Sequence, residues 1–183
     1  GCFFQTKEIV YGEGQSLKAE YAVIQVEQEV MNTQTEPVEV DVKTELLDEN
    51  NLVCVCLEGK ISLGAVENGK VTLEGKIKNP CLWAPEHPYL YHMRTWYKTG
   101  KKDFYLVHDE KTGIRSISFQ PKEGFFLNGI NTKIKGVCVH HDGGCLGAAM
   151  RPEVWQRRLE LLKECGCNAI RCSHNPHMPE LYG

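Results

Sequence analysis

Between Phe3 and Phe119 the apolar residues of this chain recur at every second position; after Gly124 they no longer do. That change of period constrains the fold more than any other feature. A repeat of two lays one face of a strand on a core and the other in water, whereas a repeat near 3.6 belongs to a helix. In the first part Ala22, Ile24, Val26 and Val30 alternate with Gln25, Glu27 and Glu29. Val38, Val40 and Val42 alternate with Glu39, Asp41 and Lys43, and Val71, Leu73 and Ile77 repeat the pattern. Turn-forming residues at Asn32 to Pro37, Asp48 to Asn51, Glu67 to Gly69 and Thr99-Gly100 separate these runs. About seven short strands so punctuated predict an immunoglobulin-like β-sandwich over residues 1–120.

From 121 to 183 the pattern predicts alternating strands and helices. FFLNG (Phe125 to Gly129) reads as a short strand with its turn and Thr132 to Val139 as another strand. RPEVWQRRLELLKECG then reads as a helix, with Pro152 in its first turn and Gly166 at the left-handed position beyond its last. Val154, Trp155, Leu159, Leu162 and Cys165 fall on one face of it. Asn168 to Ser173 is the next strand, and Pro179 to Tyr182 begins a further helix. Strand, helix, strand, helix implies parallel strands joined by right-handed crossovers. A helix of one turn has no stability of its own, so the chain is expected to be truncated. Val154, Leu159 and Leu162 then lack partners, and either exposed apolar surface between Ile134 and Ile170 or a compact docking of that piece on the sandwich is expected.

Composition narrows the partners. Apolar residues make up 42% and charged ones 25%, with a net charge of −3. That excludes disorder and gives no basic footprint for nucleic acid or a polybasic membrane patch. No apolar run approaches the roughly eighteen residues needed to span a bilayer, and GCFFQTKEIV is not a signal peptide. Nine cysteines, none in paired CxxC spacing, read as reduced and mostly buried thiols acting as small hydrophobes.

Both strands of the second part end in polar side chains. KGVCVHHDGG finishes in His140, His141 and Asp142; NAIRCSHNP finishes in Arg171, Cys172, Ser173 and His174. In parallel α/β folds, ligands gather at the carboxyl ends of strands, so these residues are the expected wall of a site. Zinc held by His140, His141, Asp142, His174 and His177 is disfavoured, because no helical His-x-x-x-His pair exists.

LWAPEHPYLY, DEKTGIRS, FFLNG, KGVCVHHD and NAIRCSHNP, in that order, resemble glycoside hydrolase family 2. The resemblance implies a mostly β chain: an immunoglobulin-like β-sandwich followed by the first two βα units of a truncated (β/α)8 TIM barrel. It implies a parent enzyme that hydrolyses β-linked sugars by double displacement, with two catalytic carboxyls about 5–5.5 Å apart. Those two glutamates are expected beyond Gly183, since a barrel takes roughly 250 residues, so the fragment alone is expected to be inactive. By motif position His140 and His174 correspond to histidines that bond the hydroxyls of the sugar whose linkage is cleaved. Arg171 corresponds to an arginine that positions a catalytic carboxylate, and Asp142 contacts a hydroxyl or orients a histidine. Cys138 and Val139 replace an Asn-Arg pair of some members, and Asn175 replaces a frequent Tyr, so contacts those residues supply elsewhere do not carry over.

HHDGGCLGAA with RLELLKECGCNAIRCSHNP is most similar to bacterial β-galactosidases, which implies a terminal β-galactoside or related oligosaccharide as substrate. A family 2 β-glucuronidase or β-mannosidase, or a non-catalytic sandwich module for binding or spacing, are the alternatives. No cofactor is expected in this fragment; Mg²⁺ or Na⁺, and an oligomer, are expectations for the full-length enzyme. Trp83, Pro85, Pro88 and Tyr91 are expected to pack around a late sandwich strand rather than to form a sugar platform.

Overall fold

Seven antiparallel strands in two sheets realise the alternation read from the first part. The computed structural model describes residues 1–12 and 19–181. Contacts divide it into two units, Gly1–Ser118 with Phe126–Ile130, and Phe119–Phe125 with Asn131–Gly183. The strands of the first unit are β1 (Cys2–Tyr11), β2 (Ala19–Met31), β3 (Val38–Leu47), β4 (Val53–Leu63), β5 (Asn68–Lys78), β6 (Tyr91–Thr99) and β7 (Tyr105–Thr112). They form one sheet of order β1-β2-β5 and another of order β4-β3-β6-β7.

The inward residues of each strand are those of the expected parity. On β2, Ala22, Ile24 and Val26 are fully buried, while Glu20 and Glu29 are exposed. Across the ladder Val26 lies opposite Phe4 and Leu73, and Leu46 lies opposite Val55 and Met93. These residues belong to one cluster running from Ala19 to Ile114. Where the chain crosses between sheets, glycines make room: Gly59 on β4 receives Leu73, and Gly75 on β5 receives Leu57, so a side chain added at either would strike a leucine. A polar layer interrupts the apolar core. Gln28, Thr44 and Thr95 are all fully buried. Gln28 Nε2 donates to Thr95 Oγ1 at 3.1 Å, and the hydroxyls of Thr44 and Thr95 share a bond of 2.8 Å.

In the LWAPEHPYLY segment Trp83 and Pro85 are half-buried and Tyr91 buried, as expected, but Pro88 is exposed. Leu82 and Tyr91 are buried, and the Tyr91 hydroxyl accepts from the Cys81 N–H at 2.8 Å. The Arg115 guanidinium lies 4.8 Å from the centre of the Trp83 ring.

The expectation of mostly buried thiols is corrected: all nine cysteines are free and none is fully buried. Cys54 and Cys56 take the outward parity of β4, because Val55 and Leu57 take the inward one. Cys2, Cys81, Cys167 and Cys172 are half-buried, and at Cys2 burial pushes the thiol up to about 11, with Glu110 adding to the shift and a hydrogen bond from Gln28 opposing it.

A short sheet of order β10-β9-β8 follows, from β8 (Ile117–Gln120), β9 (Gly124–Leu127) and β10 (Ile130–Asn131), and the chain passes along it into the second unit. Asn128 (φ 52°) and Gly129 (φ 75°) turn it in the manner that Asn-Gly hairpins favour. The second unit then holds β11 (Gly136–His140), the helix α1 (Pro152–Glu164) and β12 (Ala169–Ser173), with β11 and β12 parallel.

Three expectations here need adjustment. The strand begins at Gly136 rather than Thr132, because the Asn168 side chain takes the backbone groups that a ladder would use: Lys135 N–H donates to Asn168 Oδ1 at 2.8 Å, and Asn168 Nδ2 donates to Lys133 O at 3.0 Å. Cys165 does not join the buried face of α1; it caps the helix, with its N–H on Leu161 O, and is exposed. The last segment is a 3-10 turn over Pro179–Leu181, and Tyr182 lies outside the described residues. The helix end itself forms as expected: Cys167 N–H reaches Leu162 O, Gly166 N–H reaches Lys163 O, and Gly166 has φ 83°. Ile134 and Val137 stand exposed, as the open faces of a two-strand piece require.

Candidate functional site

A parallel pair aligns its strand ends, and the alignment is set at its start. Asn168 bonds both lysine backbones through its side chain, accepting from Lys135 N–H and donating to Lys133 O, and its own N–H also donates to Lys135 O at 2.9 Å. With that end fixed, Gly136 pairs with Ala169, Cys138 with Arg171 and His140 with Ser173. Alternation then puts Cys138, His140, Arg171 and Ser173 on one face, and Val137, Val139, Ile170 and Cys172 on the other.

The structure brings His140 and His174 together. Their ring centres are 5.7 Å apart with planes at 74°, one edge directed at the other's face. Both are exposed, as is Arg171, which stands two positions before Ser173 on the strand face that carries His140. The peptide bond between Ser173 and His174 is cis. Two imidazoles so disposed offer hydrogen-bond donors and acceptors to a polar ligand lying across the carboxyl ends of both strands.

Asp142 stands at the same end but is engaged with its own loop. Its N–H donates to His140 O at 2.8 Å, and its Oδ1 accepts from Gly144 N–H at 2.8 Å. An ionised carboxylate has about four acceptor positions, so most of Asp142's capacity remains open. No bond joins it to a histidine ring among the described contacts.

Sequence reading passed over a second histidine pair. His141, next to His140, takes the opposite side of the strand end and meets His177, with ring centres 5.1 Å apart. His177 is buried, and its ring lies 4.9 Å from that of Trp155. His141 Nε2 lies 2.8 Å from Ala148 O. Parity was the available signal: if His140 faces one way at a strand end, His141 faces the other. Among the described residues no group of three or more His, Cys, Asp or Glu is arranged to hold a metal ion.

Comparison with known proteins identifies the family. The sequence pattern of glycosyl hydrolases family 2 matches residues 13–115, and that of the family's TIM barrel domain matches residues 120–183. The chain is similar to a β-galactosidase, BoGH2A, of Bacteroides ovatus, at 45% identity over 147 residues, covering 73% of the chain and 17% of that protein. It is also similar to a putative β-glucuronidase of Formosa agariphila, at 39% identity over 75% of the chain and 13% of that protein. Among solved structures, a family 2 member from Bacteroides cellulosilyticus superposes with a TM-score of 0.85 at 33% identity, over 99% of this chain and 24% of that one. A Bacteroides uniformis β-glucuronidase gives a TM-score of 0.82 at 31% identity, over 99% of this chain and 21% of that one. The chain thus spans less than a quarter of the length of each.

Proposed function

Because the chain belongs to the glycosyl hydrolases of family 2, we propose that it is the sandwich and first barrel portion of a retaining O-glycosidase acting on terminal β-galactosides. The observation that carries this reading is the edge-to-face pair His140–His174 at the aligned ends of β11 and β12. In this reading both rings bond hydroxyls of the sugar whose linkage is cleaved. Bonds that shorten as the sugar flattens toward an oxocarbenium ion favour the transition state over the ground state, and so raise the rate as well as the affinity.

Arg171, on the same face and paired with Cys138, presents a fixed cationic fork to a carboxylate from a later strand. Asp142, with Oδ1 held by Gly144, uses its other lone pairs on a sugar hydroxyl. The acid and the nucleophile come from elsewhere in the parent protein. Here Glu153, Glu160 and Glu164 lie on α1 and Glu180 in the last 3-10 turn, away from strand ends. One carboxyl protonates the leaving oxygen, the other attacks the anomeric carbon, and water then releases the sugar with the first acting as base.

A glucuronide substrate is the second reading, favoured by the 39% identity to the Formosa protein named a putative β-glucuronidase. The test is hydrolysis of p-nitrophenyl β-galactoside and β-glucuronide by the 183-residue chain and by the parent protein. Galactoside cleavage by the parent alone is the expected result. Preference for the glucuronide moves the substrate to the second reading. Turnover by the 183-residue chain would sink the assignment of the carboxyls, and an inactive parent would return the sandwich to a binding or spacing role.

A further inference from the structure

The ends of β11 and β12 are joined by two histidine pairs, and only one of them faces outward. His140 and His174 form the exposed pair; His141 and His177 form the other, backed by the buried Trp155 of α1. We propose that His141 is a positioning residue, whose clamp on Ala148 and packing on His177 and Trp155 fix the loop after β11 and, through it, the outward pair.

The chemistry of the clamp is definite. A backbone carbonyl only accepts, so the 2.8 Å contact to Ala148 O requires the proton on His141 Nε2. Likewise His177 Nδ1 lies 3.1 Å from Asn175 O and carries its proton there. Each tautomer is thus set by a carbonyl of the loop that follows its own strand. The ring of His141 also meets Trp155 at 6.3 Å, edge to face. Three chain segments therefore converge on one side chain: the loop after β11, the first turn of α1 and the loop after β12.

The loop being held is otherwise short-range. Gly143 N–H bonds Gly147 O, Gly147 N–H bonds Gly144 O, and Ala149 N–H bonds Leu146 O, all within the loop itself. Gly144 and Gly147 both have positive φ, so residues 143–149 have few conformational restraints of their own. The His141 clamp ties the far end of this loop back to the strand end. Asp142 N–H on His140 O completes the closure, so a shift of the loop moves the backbone that carries His140.

The rate consequence rests on the glycosidase reading. Displacing a substrate-positioning group by about 1 Å costs up to about a hundredfold in rate. The experiment uses the parent protein with His141→Leu, which removes the donor, and His141→Gln, whose amide nitrogen reaches where Nε2 stands. If His141→Leu does not fold, His141→Asn, too short to reach Ala148, replaces it. Hydrogen exchange of the peptide covering 142–149 is read beside kcat and KM. The expected result is exchange in that peptide faster by about tenfold or more in His141→Leu, with kcat reduced about ten- to a hundredfold and KM changed less than about threefold. His141→Gln should restore both. Unchanged loop exchange, faster exchange with unchanged kcat in an active parent, or equal damage in the Gln and Leu variants would each overturn the proposal. A parent that cleaves none of the glycosides would sink the function reading alone, and the exchange result would still decide whether His141 holds the loop.

Discussion

The sandwich and the barrel segment use similar residues to very different effect. In the sandwich, apolar positions from Ala19 to Ile114 belong to one cluster, closed from both sides by facing sheets. In the barrel segment Met150 and Trp155 are the apolar residues that are fully buried among those described, while Ile134, Val137 and Leu161 remain 40% or more exposed. Alternation on antiparallel strands needs only a second sheet to close a core. Two parallel strands and one helix close neither face: Val137 stays exposed on one, and His140 and Arg171 on the other.

The largest test of that difference is native-state hydrogen exchange on the 183-residue chain. Val40, central in the four-stranded sheet, should exchange only through global unfolding, and Ile170 through local opening, on the order of a thousandfold faster. Equal protection at the two would break the comparison. Next, Ile24→Ala and Leu46→Ala should each cost about 2–5 kcal/mol, because both side chains are fully buried. Leu161→Ala, nearly half exposed on α1, should stay within about 0.5 kcal/mol. Denaturant midpoints at constant slope would read these values, and a costly Leu161→Ala would mean that the helix packs more tightly than its surface indicates.

Thr95→Val sharpens the contrast within the sandwich. It removes the hydroxyl shared by Gln28 and Thr44 and leaves both without that partner in a dry layer, at about 1–3 kcal/mol in the same denaturation experiment. The smallest effect is one of pH. The Cys2 thiol is pushed up to about 11 by burial, so the folded chain holds that proton more tightly than the unfolded one. Its contribution to stability is therefore complete below the ordinary thiol range near 9 and lost as pH rises through about 11. Cys2→Ala should flatten that alkaline slope in a titration of stability, and an unchanged slope would assign it to other groups.

The sandwich was legible because its information is local: Val38, Val40 and Val42 say which way they point without reference to anything distant. The helix was legible for the same reason, since Pro152 and Gly166 mark its limits. Gln28 was not, although parity placed it inward. Its partner Thr95 is 67 positions away, and nothing near Gln28 announces that a hydroxyl will meet it. The cysteines misled because a general preference for burial was applied to residues whose strand had already assigned its inward face to Val55 and Leu57. At the site, His140, Asp142, Arg171 and His174 were singled out as candidates by their place after strands and by resemblance, and the structure brings the rings of His140 and His174 together. The pairing of His141 with His177 was not legible, because it depends on Trp155 and on contacts that exist only once both loops are folded.

Asn168 acts as the origin from which both strands are measured. A ladder of parallel hydrogen bonds is nearly the same after any shift along it, so by itself it holds no record of where counting begins. The amide of one side chain, locked onto Lys133 and Lys135, supplies that record five residues before His140 meets Ser173. Move the count by a single residue and the two sides of the sheet trade occupants, so that Val139 stands where His140 stood. The chemistry available at one end of this strand pair is thus a matter of phase, set at the other.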